Sequence, residues 1–269
     1  MSMVLMTATG LSVGASSPLV GREARAAASA GALLELKGVH THIGAYHILH
    51  GVDLIVPRGQ LTMLLGRNGA GKTTTLRTIM GLWQASQGQI AFDGRDITRM
   101  HTPQIAHLNI AYVPENMGIF ADLTVKENML LAARKAGNAA QMDQARLQWI
   151  FRLFPAVEKF WNHPAGKLSG GQKQMVAVAR AMAEPRDLLI IDEPSKGLAP
   201  AIIHNMIEAF DQLKQSGVTL LLVEQNIHFA QRLGDTVAVM DNGRVVHAGS
   251  MAALAEDEAL QRKLLGLSL

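Results

Sequence analysis

Leu61-Thr62-Met63-Leu64-Leu65-Gly66-Arg67-Asn68-Gly69-Ala70-Gly71-Lys72-Thr73-Thr74 is the stretch that decides the fold. Leu61 to Leu65 has the length and character of a strand buried on both faces. It runs into a glycine-rich turn, and a helix is expected from about Lys72 to Met80. The glycines let the backbone curl closely around an anion. The turn aims N–H groups at that anion, and the helix N-terminus adds a favourable dipole. Gly66, Arg67, Asn68, Gly69, Ala70 and Gly71 therefore form a phosphate cradle. Lys72 supplies a point charge for outer phosphates, and the Thr73 hydroxyl is a magnesium ligand. Thr74 completes the phosphate-binding set.

Working outward, Leu33 to Leu36 and Val52 to Val56 read as strands, and Pro57-Arg58-Gly59 breaks the second. Gln89 to Phe92 is a short strand closed by the turn pair Asp93-Gly94. Thr124-Val125-Lys126-Glu127 has the pattern of a capping box. Val125, Met129, Leu130 and Ala133 follow on one helix face, and Leu147, Ile150, Phe151 and Phe154 on another. Leu188 to Ile191 and Val218 to Val223 are apolar strands. Between them lies a helix with Pro200 in its first turn and Gly217 at its end. Asp241-Asn242-Gly243 joins the strands Thr236 to Met240 and Arg244 to His247 as a hairpin. Apolar strands alternating with helices imply an α/β fold with a parallel sheet covered on both faces. The helical middle is an insertion into that sheet.

Asp192 and Glu193 end the run Leu188-Leu189-Ile190-Ile191. Two carboxylates at the tip of a buried strand are costly unless a cation or proton offsets them. A magnesium nucleotide supplies that cation. Asp192 then holds magnesium through water, and Glu193 orients and deprotonates an attacking water. Ser169-Gly170-Gly171-Gln172 is a second anion trap, a hydroxyl and two bare glycine amides opening a helix through Met175, Val178 and Met182.

With Leu168, that last segment resembles the signature of the ABC transporter ATPase family, over about residue 33 to the end. The resemblance is strongest to the ATP-binding subunits of branched-chain amino acid importers. It is carried by Tyr112-Val113-Pro114-Glu115, Ile119-Phe120, Leu123-Thr124-Val125, Gly197-Leu198-Ala199-Pro200 and Leu222-Val223-Glu224-Gln225-Asn226. It implies a P-loop NTPase (RecA-like) core with a mainly parallel sheet, an N-terminal antiparallel β subdomain and a helical subdomain at about 116–168. It also implies ATP and Mg2+ as ligands, and hydrolysis of ATP to ADP and phosphate. In such importers the Ser169 segment closes on ATP held by a second ATP-binding subunit. Two permease subunits span the membrane, a periplasmic protein delivers the solute, and the ATPase sits on the cytoplasmic face. This chain resembles the smaller of the two ATPase types. A groove beside Glu115 is where a permease helix docks in that family.

Three positions depart from the wider family. Glu115 stands in place of glutamine; it can give magnesium an oxygen but adds a charge. Gln225 stands in place of a histidine that touches the terminal phosphate; it donates a hydrogen bond but carries no proton. Slower hydrolysis, still driven by Glu193, is expected. Pro194-Ser195-Lys196-Gly197-Leu198 lacks the usual aspartate. The aromatic residue that stacks on adenine in the family falls on Ile43, with Tyr46 the nearest aromatic.

Composition bounds the alternatives. The chain has 269 residues, 48% hydrophobic and 17% charged, and a net charge of +3. That is a globular composition with scattered charge, pointing to neither nucleic acid nor lipid. A soluble ABC ATPase acting on nucleic acid or the ribosome would often carry a second cassette or a long arm, and this chain has one cassette. A binding-only regulatory subunit is a third reading, which Glu193→Gln discriminates. There is no cysteine, which suits a reducing compartment. No apolar run approaches the roughly 20 residues of a membrane helix. Residues 1–32, rich in alanine, serine and glycine, read as a loose extension or an upstream start rather than a signal peptide. His40, His42, His47 and His50 read as strand and turn histidines rather than a metal site. Trp83, Trp149 and Trp161 read as packing residues near subdomain joins.

Overall fold

The computed structural model describes residues 31–133 and 142–265. In chain order it begins β1 (Ala32–Ile43), β2 (Tyr46–Pro57), β3 (Leu61–Gly66), α1 (Lys72–Ile79), β4 (Ala85–Phe92) and β5 (Arg95–Asp96). There follow α2 (Thr102–Ala106), β6 (Ile110–Val113), α3 (Val125–Ala132), α4 (Gln144–Leu153), α5 (Pro155–Lys159) and α6 (Gly170–Ala181). The remainder is β7 (Leu188–Asp192), α7 (Pro200–Gln215), β8 (Thr219–Glu224), α8 (Ile227–Leu233), β9 (Thr236–Asp241), β10 (Arg244–Ser250), α9 (Met251–Glu256) and α10 (Glu258–Leu265).

The strands form two sheets. One is antiparallel, in the order β2-β1-β4-β5; the other runs β10-β9-β3-β8-β7-β6. In the second, β3 pairs in parallel with β8 and β9, and β7 in parallel with β6 and β8. Only the outer pair β9–β10 is antiparallel. Strands buried on both sides need apolar residues in both registers. Accordingly Leu61, Met63 and Leu65 enter one core, and Leu64 enters the other. The first core also holds the apolar faces of α3 to α8; the second holds the antiparallel sheet and α1.

The β9–β10 turn ties the two sheets to the phosphate loop. Asn242 and Gly243 both have positive φ, 44° and 71°, as a tight two-residue hairpin requires. A Cβ on Gly243 would collide with the Ile48 carbonyl oxygen. That close approach lets His50 N donate to Gly243 O at 2.8 Å, and Gly243 N donate to Ala70 O at 2.9 Å.

The helical middle is built as its sequence suggests. Thr124 caps α3, accepting from Glu127 N at 3.2 Å, while Glu127 accepts from Thr124 N at 2.7 Å. Val125 and Met129 are fully buried and Leu130 is partly so, whereas Leu131 is exposed. Asn128, also buried, uses its amide to bond the carbonyls of Phe120 and Thr124 and the amide of Phe120. Trp161 meets the Phe151 ring edge-on at 5.1 Å.

Several boundaries differ from the sequence reading. β1 begins at Ala32, the last residue of the expected extension; residues 1–30 lie outside the described residues. β1, β2 and β4 are longer than expected because bulges at Lys37–His40 and Leu36–Val39 let the pairing continue past the apolar stretches. β5, β6, α2, α8, α9 and α10 were not expected. Each is eight residues or fewer, too short to show a period. The histidines sit on β1 and β2 as cross-strand pairs, His40 opposite His50 and His42 opposite His47. The His42 and His47 rings stack face to face at 4.1 Å.

Candidate functional site

The site forms at the C-terminal ends of β3, β6, β7 and β8, where parallel strands release their chains into loops. Gly66 ends β3 with φ 149°, and a Cβ there would collide with the Met240 carbonyl oxygen. Glycine at this position is what lets the loop leave the sheet beside β9. Gly66, Arg67, Asn68, Gly69 and Ala70 line a cavity of about 750 Å³, together with Gln225, Asp241, Asn242 and Leu265. Arg67, Asn68 and Gly69 are exposed toward it, while Ala70 and Gly71 are buried.

Lys72 opens α1 and is 4% exposed. Its Nζ donates to Gly66 O at 2.7 Å and Arg67 O at 3.1 Å, so the lysine is folded into its own loop. Burial lowers its pKa, while Glu193 and Asp192 act in the opposite direction. Thr73 and Thr74 follow, each partly buried.

Asp192 ends β7 and is fully buried, and neither carboxylate oxygen has an aligned hydrogen-bond partner. Desolvation pushes its pKa up to about 6, with the neighbouring Thr73 hydroxyl opposing the shift and Glu193 and Glu115 adding to it. Beside it, Tyr112 on β6 has its hydroxyl buried, and desolvation raises that pKa to about 12.

Glu193 has φ 50°, a left-handed backbone that a non-glycine residue holds only where its surroundings over-determine it. Its amide donates to Val223 O at 2.9 Å. Gln225 Nε2 donates to Glu193 Oε1, and also to Asn68 Oδ1 at 2.7 Å. Lys72 Nζ stands 3.9 Å from the same carboxylate. Lys196 meets Glu193 Oε2 as an ion pair at 3.1 Å, without an aligned hydrogen bond, and donates to Glu115 Oε1 at 2.6 Å. Those two carboxylates raise the Lys196 pKa, Glu115 most.

The structure thus brings Gly66 to Thr73, Asp192, Glu193, Gln225 and Glu115 to one end of the sheet. It does not bring Ser169, Gly170, Gly171 or Gln172 to the cavity around Gly66, which none of them lines. That segment opens α6 instead. Ser169 accepts from Gln172 N at 3.4 Å, and Gln172 Oε1 accepts from Ser169 N at 2.9 Å. Gly170 has open space where a Cβ would be.

Two residues at this end of the sheet were given no role in the sequence reading. Glu224, 2% exposed, accepts from Ser195 N at 2.9 Å through Oε1 and from Gln225 N at 3.1 Å through Oε2. It couples the loop after Glu193 to the segment that carries Gln225, and burial raises its pKa. A buried carboxylate at the end of an apolar strand was the available signal, the same one that exposed Asp192. The tie from Lys196 to Glu115 gave no local signal, since the two are 81 residues apart.

The donor set fits magnesium. A buried carboxylate beside a threonine hydroxyl and a second acid offers hard oxygens. Among the described residues no group of three or more His, Cys, Asp and Glu could cage a metal. A magnesium ion held there would take the rest of its shell from water and phosphate.

The comparisons with known proteins agree with this geometry. The family model described as ABC transporter matches residues 49–196. The chain is 38% identical to BraG of Pseudomonas aeruginosa, a high-affinity branched-chain amino acid transport ATP-binding protein, covering 87% of this chain and 100% of that one. It is 35% identical to LivF of Archaeoglobus fulgidus, a probable branched-chain amino acid transport ATP-binding protein, covering 82% and 93%. A solved ATP-binding subunit of an ABC transporter superposes with a TM-score of 0.71 at 33% identity, covering 88% and 95%. A phosphate loop on β3, an acid pair ending β7 and a glycine-opened α6 together have one explanation: this chain belongs to the ABC transporter family, as a nucleotide-binding ATPase subunit.

Proposed function

We propose that ATP hydrolysis by this chain powers uptake of branched-chain amino acids or related small amides through a partner membrane permease. The observation that carries this reading is the likeness to BraG over that protein's whole length. The site supplies the chemistry. Thr73, Asp192 and Glu115 would hold Mg2+, which neutralises phosphate charge and orients the nucleotide. The backbone amides of Gly66 to Gly71 and the Lys72 ammonium hold the phosphates. Glu193 takes the proton of the attacking water, and Gln225 fixes the Glu193 carboxylate by its hydrogen bond.

Ser169, Gly170, Gly171 and Gln172 serve the nucleotide of a facing ATP-binding subunit, so that two ATPs are sandwiched in a dimer. Two permease subunits complete the transporter, with a periplasmic solute-binding protein delivering cargo. The chain then lies on the cytoplasmic face of the membrane. In the described residues no helix is long and apolar enough to cross a bilayer. Residues 33–269 are one ATPase domain, with a helical subdomain at about 116–168. The docking groove lies after Glu115. There Arg180 of α6 donates to Met117 O at 3.0 Å and Gly118 O at 2.6 Å, and its guanidinium lies over the Phe120 ring. Phe120 is left 53% exposed.

The test is a reconstituted transporter assayed for ATPase stimulation by a panel of amino acids, urea and short amides. Stimulation by leucine, isoleucine or valine, or by a small amide, is expected. Stimulation confined to unrelated solutes overturns the substrate assignment.

A further inference from the structure

We propose that Lys196 is a positioning residue that binds Glu115 and Glu193 together when no metal is present, and so keeps the phosphate site from being too negative to admit ATP. The proposal rests on the ATPase site described above. Glu115, Asp192 and Glu193 are three carboxylates issuing from the ends of the adjacent strands β6 and β7. Carboxylates so placed repel one another and any incoming polyphosphate. One ammonium reaches two of them: Lys196 Nζ is 2.6 Å from Glu115 Oε1 and 3.1 Å from Glu193 Oε2. Lys72, also nearby, donates to Gly66 O and Arg67 O and stays 3.9 Å from Glu193.

The loop that carries Lys196 is built to hold this position. Buried Glu224 fixes Ser195 N, and Lys196 N donates to Glu193 O at 3.2 Å. Gly197, at φ 69°, turns the chain away immediately afterwards. The backbone is therefore pinned, while the Lys196 side chain is 54% exposed. A half-exposed ammonium can leave its carboxylates at little cost when a divalent cation takes them over. The pairing also accounts for Glu115. Its extra negative charge, which a glutamine would lack, is matched by a lysine on the facing loop.

The charge logic makes Lys196 and Glu115 interdependent, so a double-mutant cycle tests it. ATP affinity is measured by equilibrium titration in EDTA and again in excess Mg2+, on wild type, Lys196→Gln, Glu115→Gln, the double variant and Lys196→Arg. In EDTA, Lys196→Gln is expected to weaken ATP binding about three- to fivefold, the range of a half-exposed ion pair. That loss shrinks to under twofold in the Glu115→Gln background and under twofold in excess Mg2+, and Lys196→Arg restores wild-type affinity. Equal losses with and without Glu115, or equal losses with and without Mg2+, overturn the role given to Lys196. A wild-type chain that binds no ATP in either condition overturns the site reading itself.

Discussion

Replacing Asp192 by asparagine gives a pH-dependent change in stability whose sign and size follow from burial. In the metal-free protein the folded pKa of Asp192 is raised to about 6 from the ordinary 3.8. The folded state therefore holds this proton more tightly than the unfolded chain does. Below pH 3.8 the group is protonated in both states and costs nothing. Between 3.8 and 6 the cost of ionising it in place grows, and above 6 it is constant. The full cost is about 3 kcal/mol at pH 8 and about half of that at pH 5. Asparagine keeps the shape and does not titrate. Relative to wild type, Asp192→Asn should thus gain about 1 to 2 kcal/mol between pH 5 and pH 8, or about 3 to 5 °C in melting temperature for a domain of this size. The assay is thermal unfolding of the nucleotide-free, EDTA-treated proteins from pH 5 to 8. A melting-temperature difference that is flat or shrinks over that range refutes the reasoning. Adding Mg-ATP should reverse the order, because only wild type keeps the carboxylate for the metal.

Other outcomes follow from single contacts. Lys72→Ala removes a charged donor from the phosphates and should weaken ATP binding by tens-fold, with a change under threefold in a nucleotide titration counting against its role. Gln225→His should raise the steady-state ATPase rate, since a group able to carry a proton replaces one that only donates a hydrogen bond; an unchanged rate removes Gln225 from the account. Gly66→Ala forces a Cβ against the Met240 carbonyl in a left-handed backbone, and should cost about 3 kcal/mol in denaturant unfolding or abolish soluble expression.

Much of this site was legible because its parts are contiguous. The phosphate loop occupies eight successive residues, and the acid pair ends the most apolar strand in its neighbourhood. The hairpin turn at Asn242-Gly243 and the capping boxes of Thr124 and Ser169 were equally local, since their physics involves residues one to three apart. What could not be read was long-range pairing. Lys196 is 81 residues from Glu115, and the tie from Gly243 to both His50 and Ala70 joins three separate segments. β6 has four residues, and its pairing with β7 emerges only in the sheet. Ala32 belongs to β1 because it pairs opposite Pro57, which its own composition does not reveal.

The central claim is that hydrolysis at Glu193 drives transport. It is tested most directly by ATP-driven leucine uptake into proteoliposomes holding the permease, the partner ATPase and this chain, compared between wild type and Glu193→Gln. The account predicts uptake with wild type and none above background with Glu193→Gln, although the variant still binds ATP. Undiminished uptake with Glu193→Gln would contradict it and leave this chain a binding-only subunit.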